Sequence, residues 1–178
     1  MIEEKFEIAK KKLKIKSYQE AEILLKEIII EDPNHFGSHF LLGSLYGLLN
    51  KVEMALKYLY LAKDIDSSNF NTYFNIGLIY KKKKEPTKAK IYLEKALDIE
   101  VKHVGSLCAL GQLYEEENNL KKAKNEYEKA VNYESTNKLA CQLYGKILLK
   151  LNEHKKGLKF MKIGSGFIRF TNQKIEMI

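Results

Sequence analysis

The sequence predicts an all-α array of antiparallel helix pairs, and three observations predict it. Small residues recur in fixed columns at one interval, and apolar residues around those columns keep helical spacing. Two prolines and ten glycines are too few turn residues for an all-β chain of 178 residues.

The interval is 34. Gly43, Gly77, Gly111 and Gly145 follow one another at that spacing, with Tyr46, Tyr80, Tyr114 and then Leu148 three residues behind. Twelve residues after the glycines stand Ala55, Ala89, Ala123 and Gly157, and seven further on Ala62, Ala96, Ala130 and Gly164. One period before Gly43 and Ala55 come Ala9 and Ala21. A mid-helix glycine costs about 1 kcal/mol against alanine. Close approach of the paired helix compensates that cost, because a side chain at the column would push the two helices apart.

Each period reads as two helices. In 70–84 the set Phe70, Tyr73, Phe74, Ile76, Gly77, Ile79 and Tyr80 has helical spacing. Glu85-Pro86-Thr87 interrupts it, with proline suited to the first turn of the next helix. Ala89, Ile91, Tyr92, Leu93, Ala96 and Leu97 mark that second helix. The polar turns Asp32-Pro33-Asn34, Asp66-Ser67-Ser68-Asn69 and Glu134-Ser135-Thr136-Asn137 join the periods and supply N-caps.

Composition bounds the function classes. Hydrophobic residues make up 45% and charged residues 30%, enough for a buried core and unlike a disordered chain. The formal charge of +8 admits an acidic partner, but Arg169 is the only arginine among 31 basic residues. Phosphate and base recognition draws on arginine's bidentate fork, so the balance argues against nucleic acid and for lysines that solvate helix faces. Cys108 and Cys141 fall on neighbouring first helices, whose axes at roughly 8–10 Å are too far apart for a disulfide. A reduced, cytoplasmic setting is expected. The start, Met1-Ile2-Glu3-Glu4-Lys5, is acidic and then amphipathic, unlike a secretory signal. The longest apolar stretch, His39 to Leu49, falls short of the roughly 20 residues that span a bilayer.

These columns resemble the tetratricopeptide repeat. Leu42-Gly43, Tyr46, Ala55, Leu59 and Ala62 carry the resemblance in 36–69. Tyr73, Ile76-Gly77, Tyr80, Ala89, Leu93 and Ala96 carry it in 70–103, and Leu107, Leu110-Gly111, Tyr114, Ala123, Tyr127 and Ala130 in 104–137. The outer copies 2–35 and 138–171 are degenerate, as capping repeats often are. The resemblance implies a single domain over 1–171, a right-handed superhelical solenoid of about five repeats. First helices would line a concave face that binds a peptide or protein segment.

The family pattern places the candidate groove at Phe6, Phe40, Leu41, Ser44, Asn71, Phe74, Asn75, Leu78, Cys108, Gln112 and Gln142. Phe6, Phe40 and Phe74 recur at one register and form an apolar ladder, or else pack between adjacent first helices. Asn75 and Gln112 are placed to bond ligand backbone. The carboxylate clamp of chaperone-tail-binding relatives is missing: with Asn75 as its central asparagine, Phe40, Ser44, Gly105 and Ala109 occupy the other clamp positions.

Other constellations carry less. His35 and His39 are four apart, a metal-ligating spacing, but His35 falls in a turn, His39 in a packing column, and no cysteine or carboxylate pair accompanies them. Lys81 to Lys84 end a first helix, where cations favour the helix dipole. They read as a solvated face, with a phosphate-facing patch as the alternative, and Glu115 to Glu117 at the equivalent register invite charge pairing. No phosphate-cradling loop, catalytic carboxylate pair or nucleophile signature is present, so neither an enzyme nor a cofactor or metal is expected. Gly164-Ser165-Gly166 is expected to stop the last helix, leaving 164–178 as an irregular tail. Phe167, Ile168, Arg169 and Phe170 would cap the array, lie in a neighbour's groove as a homo-oligomer, or lead elsewhere. The expected function is a protein–protein interaction scaffold. The alternative is a basic scaffold for RNA or another anionic surface, or self-assembly through the tail.

Overall fold

A computed structural model describes residues 1–165, 168–171 and 174–177. Among the described residues ten helices follow in order: α1 (Ile2–Lys14), α2 (Tyr18–Glu31), α3 (Phe36–Leu48), α4 (Val52–Ile65), α5 (Phe70–Lys82), α6 (Pro86–Ile99), α7 (Val104–Glu116), α8 (Leu120–Tyr133), α9 (Lys138–Lys150) and α10 (His154–Ser165). First and second helices each begin at the 34-residue interval read from the glycine columns. The chain is all-α in class, with one local departure. Gly164 and Ser165 belong to α10, and the expected irregular tail holds two short strands, β1 (Ile168–Thr171) and β2 (Lys174–Met177). They pair antiparallel with Ile168 opposite Met177. The β-branched and aromatic residues of Ile168-Arg169-Phe170-Thr171 favour a strand. The capping and neighbour-groove readings of Phe167 to Phe170 fall on side chains outside the described residues.

The chain divides into two compact units, Met1–Tyr92 and Leu93–Ile178. In the first, α3 and α4 meet where Gly43 has no side chain. A Cβ there would stand 2.6 Å from Leu59 Cγ and 3.0 Å from the Leu59 backbone nitrogen. Ala9, Ala21, Ala55 and Ala62 are fully buried at their columns, beside Leu25, Ile28, Leu42 and Leu59. Tyr46 closes the seam one turn after Gly43. Its ring stacks on Tyr58 at 5.5 Å, and its hydroxyl donates to Glu22 at 2.7 Å, tying α3 to α2. A second aromatic group gathers around Tyr60, whose hydroxyl lies 2.8 Å from that of Tyr80 and 2.9 Å from that of Tyr92. Burial, reinforced by those two hydrogen bonds, pushes the Tyr60 phenol far up and keeps it neutral.

The second unit repeats the device. A Cβ on Gly111 would stand 2.3 Å from Tyr127 Cε1, and one on Gly145 2.8 Å from the Met161 backbone nitrogen. Tyr127, Tyr144, Ile147 and Leu148 fill the core with Ala123, Ala130 and Ala140. Tyr127 donates to Glu115 at 3.1 Å, and Tyr144 bonds Glu128 and meets Phe160 edge-on at 4.8 Å. Glu115 pairs with Lys150, and Lys83 with Glu85 at 3.3 Å.

The first helices end in one recurring motif. Lys16, Asn50, Lys84, Asn118 and Asn152 all have positive φ, between 59° and 62°. After each, a backbone N–H reaches back to the carbonyl five residues earlier, as Lys51 does to Tyr46 at 2.8 Å and Glu85 to Tyr80 at 3.0 Å. This is the Schellman arrangement, normally closed by glycine. Two of the expected turns supply the cap, through Asn69 and Asn137, and His35 follows directly after the third. Asp32 and Asp66 bind their own turns, accepting from Asn34 N and Ser68 N, while His35, Asn69, His103 and Asn137 cap α3, α5, α7 and α9. His103 Nδ1 accepts from Ser106 N at 3.3 Å and lies 2.8 Å from Ser106 Oγ, which requires an unprotonated nitrogen.

Two outcomes follow from these ends. A left-handed lysine costs about 1–2 kcal/mol, and glycine relieves this at a smaller entropic cost in the unfolded chain. Lys84→Gly is therefore expected to raise stability by about 0.5–1 kcal/mol in urea titration. For His103, burial lowers the pKa below the ordinary 6.5, against the opposing pull of Glu100 and Glu134. The unfolded ring takes up its proton near 6.5 while the native ring resists. The contribution is thus whole above that pH and is lost as pH falls through the folded value. Melting scans between pH 7.5 and 5 should show a shallower acid loss for His103→Asn, which caps without titrating.

Candidate binding groove

The first unit holds a cavity of about 240 Å³ between α3 and α5, opening where Gly43 and Gly47 leave α3 bare. Leu59 of α4 forms its floor, Ser44 and Leu48 one wall, and Asn75, Leu78 and Lys82 the other. Gly47 is needed here for a second reason: a Cβ on it would stand 2.7 Å from Ile79 Cδ1. The volume suits one leucine- or phenylalanine-sized side chain, since a cavity of roughly 150 Å³ already holds benzene.

Polar bonds pin the two helices on either side of this opening. Ser44 Oγ donates to the Phe40 carbonyl at 2.9 Å and accepts from Asn75 Nδ2 at 2.9 Å. The Lys82 ammonium donates to the Gly47 carbonyl at 2.7 Å, satisfying an acceptor in the last turn of α3. Ser44, Asn75, Leu78 and Lys82 come from consecutive periods, so the opening exists because the 34-residue interval sets two first helices side by side.

The candidate residues fare differently. Ser44, Asn75 and Leu78 meet at the cavity, and Leu41 and Phe74 are half-buried on the same two helices. Phe40 is half-buried and stacks on Phe36 at 5.8 Å. Phe6 packs between first helices: its ring meets His35 edge-on at 4.8 Å and occupies the space a side chain at Gly37 would need. Asn71 is half-buried, and its backbone N–H binds the Asn69 cap. In the second unit Gln112 is half-buried. Gln142 donates to the Gly164 carbonyl at 3.1 Å. Cys108 is only 3% exposed among core residues, so its side chain faces packing rather than a ligand. Lys82 and Leu48 were missed by the sequence reading, although Lys82 repeats the register of Leu48 one period on.

Nothing at the groove is arranged for bond-making. Burial pushes the Cys108 thiol up to about 12 and raises that of Cys141, so both are poor nucleophiles. His39 Nε2 donates to the Pro33 carbonyl at 2.8 Å and His35 caps α3, so both histidines have packing roles. Among the described residues no group of three histidine, cysteine or carboxylate side chains converges as a metal would need. Among the described residues no helix is long and apolar enough to cross a membrane.

The fold has counterparts among solved structures. PilF of Pseudomonas aeruginosa superposes with a TM-score of 0.85 at 16% identity, covering 93% of this chain and 75% of that one. MamA of Desulfovibrio magneticus gives 0.75 at 20% identity, over 91% and 92%. YrrB, described as a TPR protein with an unusual peptide-binding site, gives 0.66 at 14%, over 91% and 84%. At these identities the likeness is one of fold. No functionally curated protein matches the chain in sequence. The tetratricopeptide repeat pattern, however, matches residues 36–69, 70–102 and 104–137, more than half of the chain. The chain belongs to the tetratricopeptide repeat family.

Proposed function

We propose that this protein is a non-catalytic scaffold that holds a partner protein by inserting one large apolar side chain of the partner between α3 and α5. The observation that carries this is the 240 Å³ opening floored by Leu59, with Asn75 fixed by Ser44 on its wall. The Ser44 bond uses one N–H of the Asn75 amide. The amide oxygen is the acceptor suited to a backbone N–H of a bound segment. Phe40, Leu41, Asn71 and Phe74 extend the same face along the two helices. Phe6 contributes by spacing α1 from α3 and does not touch the ligand. The peptide-binding description of YrrB agrees with this reading. Two buried free thiols suit the reducing cytoplasm as its setting.

Peptides selected from a random library against the full chain should carry a leucine, isoleucine or phenylalanine anchor. Leu78→Asp places a charge in the opening. It should weaken such a peptide at least about tenfold, the scale of a lost buried anchor, with little change in melting temperature. Affinity should vary little between low and high salt, because apolar contact releases few counterions. Selection of acidic peptides whose binding ignores Leu78→Asp and collapses with salt would contradict the proposal.

A further inference from the structure

In the unit Met1–Tyr92 every turn from a first to a second helix lies on one edge, because the helices alternate in direction. Two observations set these turns side by side. Lys16, Ser17 and Glu20 of the first turn line one cavity of about 600 Å³ with Leu49 and Lys51 of the second. The Lys82 ammonium at the third turn reaches the Gly47 carbonyl at the second. This edge is strongly polarised. Segments 11–20, 47–52 and 81–86 carry nine lysines and two carboxylates, Glu20 and Glu85. The opposite edge, formed by segments 1–5, 31–36 and 64–70, carries six carboxylates and one lysine.

The basic edge is also apolar at its tips. Ile15 is 70% exposed, Leu48 63% and Leu49 38%, and each stands within two residues of the left-handed turn residue, Lys16 or Asn50. Leu48 borders the groove between α3 and α5 and Leu49 the 600 Å³ cavity, yet both keep much of their surface exposed at the turn, as Ile15 does. Aliphatic tips set among long lysine side chains match a bilayer interface: the tips enter the acyl boundary while the ammonium groups reach lipid phosphates. Nucleic acid fits less well. The edge has no arginine, and its exposed residues include no aromatic ring for a base to stack on.

We infer that this basic edge docks on an anionic lipid bilayer, with Ile15, Leu48 and Leu49 inserted and the acidic edge facing away. Leu48 and Lys82 also border the groove between α3 and α5, so the membrane-facing edge adjoins the partner-binding face.

Flotation of the full chain with vesicles tests this, once melting scans have shown each variant folded. Vesicles of phosphatidylcholine with phosphatidylserine should carry the protein up, and vesicles of phosphatidylcholine alone should carry far less. Lys16→Glu/Lys51→Glu/Lys84→Glu should cut partitioning by about a hundredfold, since each lysine near an anionic surface contributes several-fold. Lys121→Glu/Lys146→Glu/Lys159→Glu, with the same net charge, should bind as the wild type does. Ile15→Ser/Leu48→Ser keeps every lysine and should lose about tenfold or more. Three results would overturn the inference: no flotation with phosphatidylserine, equal loss in the two charge variants, or full binding by Ile15→Ser/Leu48→Ser. The last would mark a plain polyanion contact, which capture by heparin or RNA would identify.

Discussion

A Cβ atom at Gly145 would stand 2.8 Å from the backbone nitrogen of Met161 and 3.0 Å from the carbonyl oxygen of Gly157. That closeness of main chain to main chain is the constraint from which the rest of the structure follows. Two helices can approach so nearly only where one presents no side chain; Gly43 likewise meets the Leu59 backbone nitrogen at 3.0 Å, while at Gly111 the Tyr127 ring takes the space instead. Each such seam expels water from a leucine, methionine or tyrosine on the facing helix, worth about 1.5–3 kcal/mol apiece. After Gly43 and Gly77 the tyrosine one turn on carries its hydroxyl to a carboxylate or another phenol, as Tyr46 does to Glu22 and Tyr80 to Tyr60, while Leu148 fills that place after Gly145.

The close seam also decides what the surface can offer. Gly43 and Gly47 border the opening between α3 and α5, and Leu59 of α4 lies buried against Gly43 beneath it. The second unit uses its small residues differently. Gln142 is tied to Gly164, and Cys108 is committed to the core. The interval that stacks the pairs also gathers like turns on one edge, so lysines distant in sequence become neighbours in the first unit. Groove and edge are separate consequences of the same repetition.

Periodicity was the part of this architecture that the sequence displayed most openly. Four columns of small residues at one spacing define where helices start and which faces meet, because only close packing rewards glycine inside a helix. The caps were legible in part: Asn69 and Asn137 cap from the turns named for that role, while His35 and His103, outside those turns, do the same for α3 and α7. The left-handed column at 16, 50, 84, 118 and 152 was discoverable, since asparagine fills three of its five places and tolerates that conformation. In the groove, Ser44, Asn75 and Leu78 were placed by the family pattern, and all three line the opening. The bond between Ser44 and Asn75 was not legible there, because it depends on how two helices from different periods are offset. The phenylalanine column is not uniform: Phe6 fills the space above Gly37, whereas Phe40 stacks on Phe36.

The most direct test of the central contact is the stability of Gly145→Ala in urea. Alanine is the better helix former by about 1 kcal/mol, so propensity alone would make the variant more stable. The close seam predicts the opposite sign, a loss of about 1–3 kcal/mol as α9 and α10 are forced apart. A variant as stable as the wild type, or more so, would mean that backbone proximity at this column is not what holds the helix pair together.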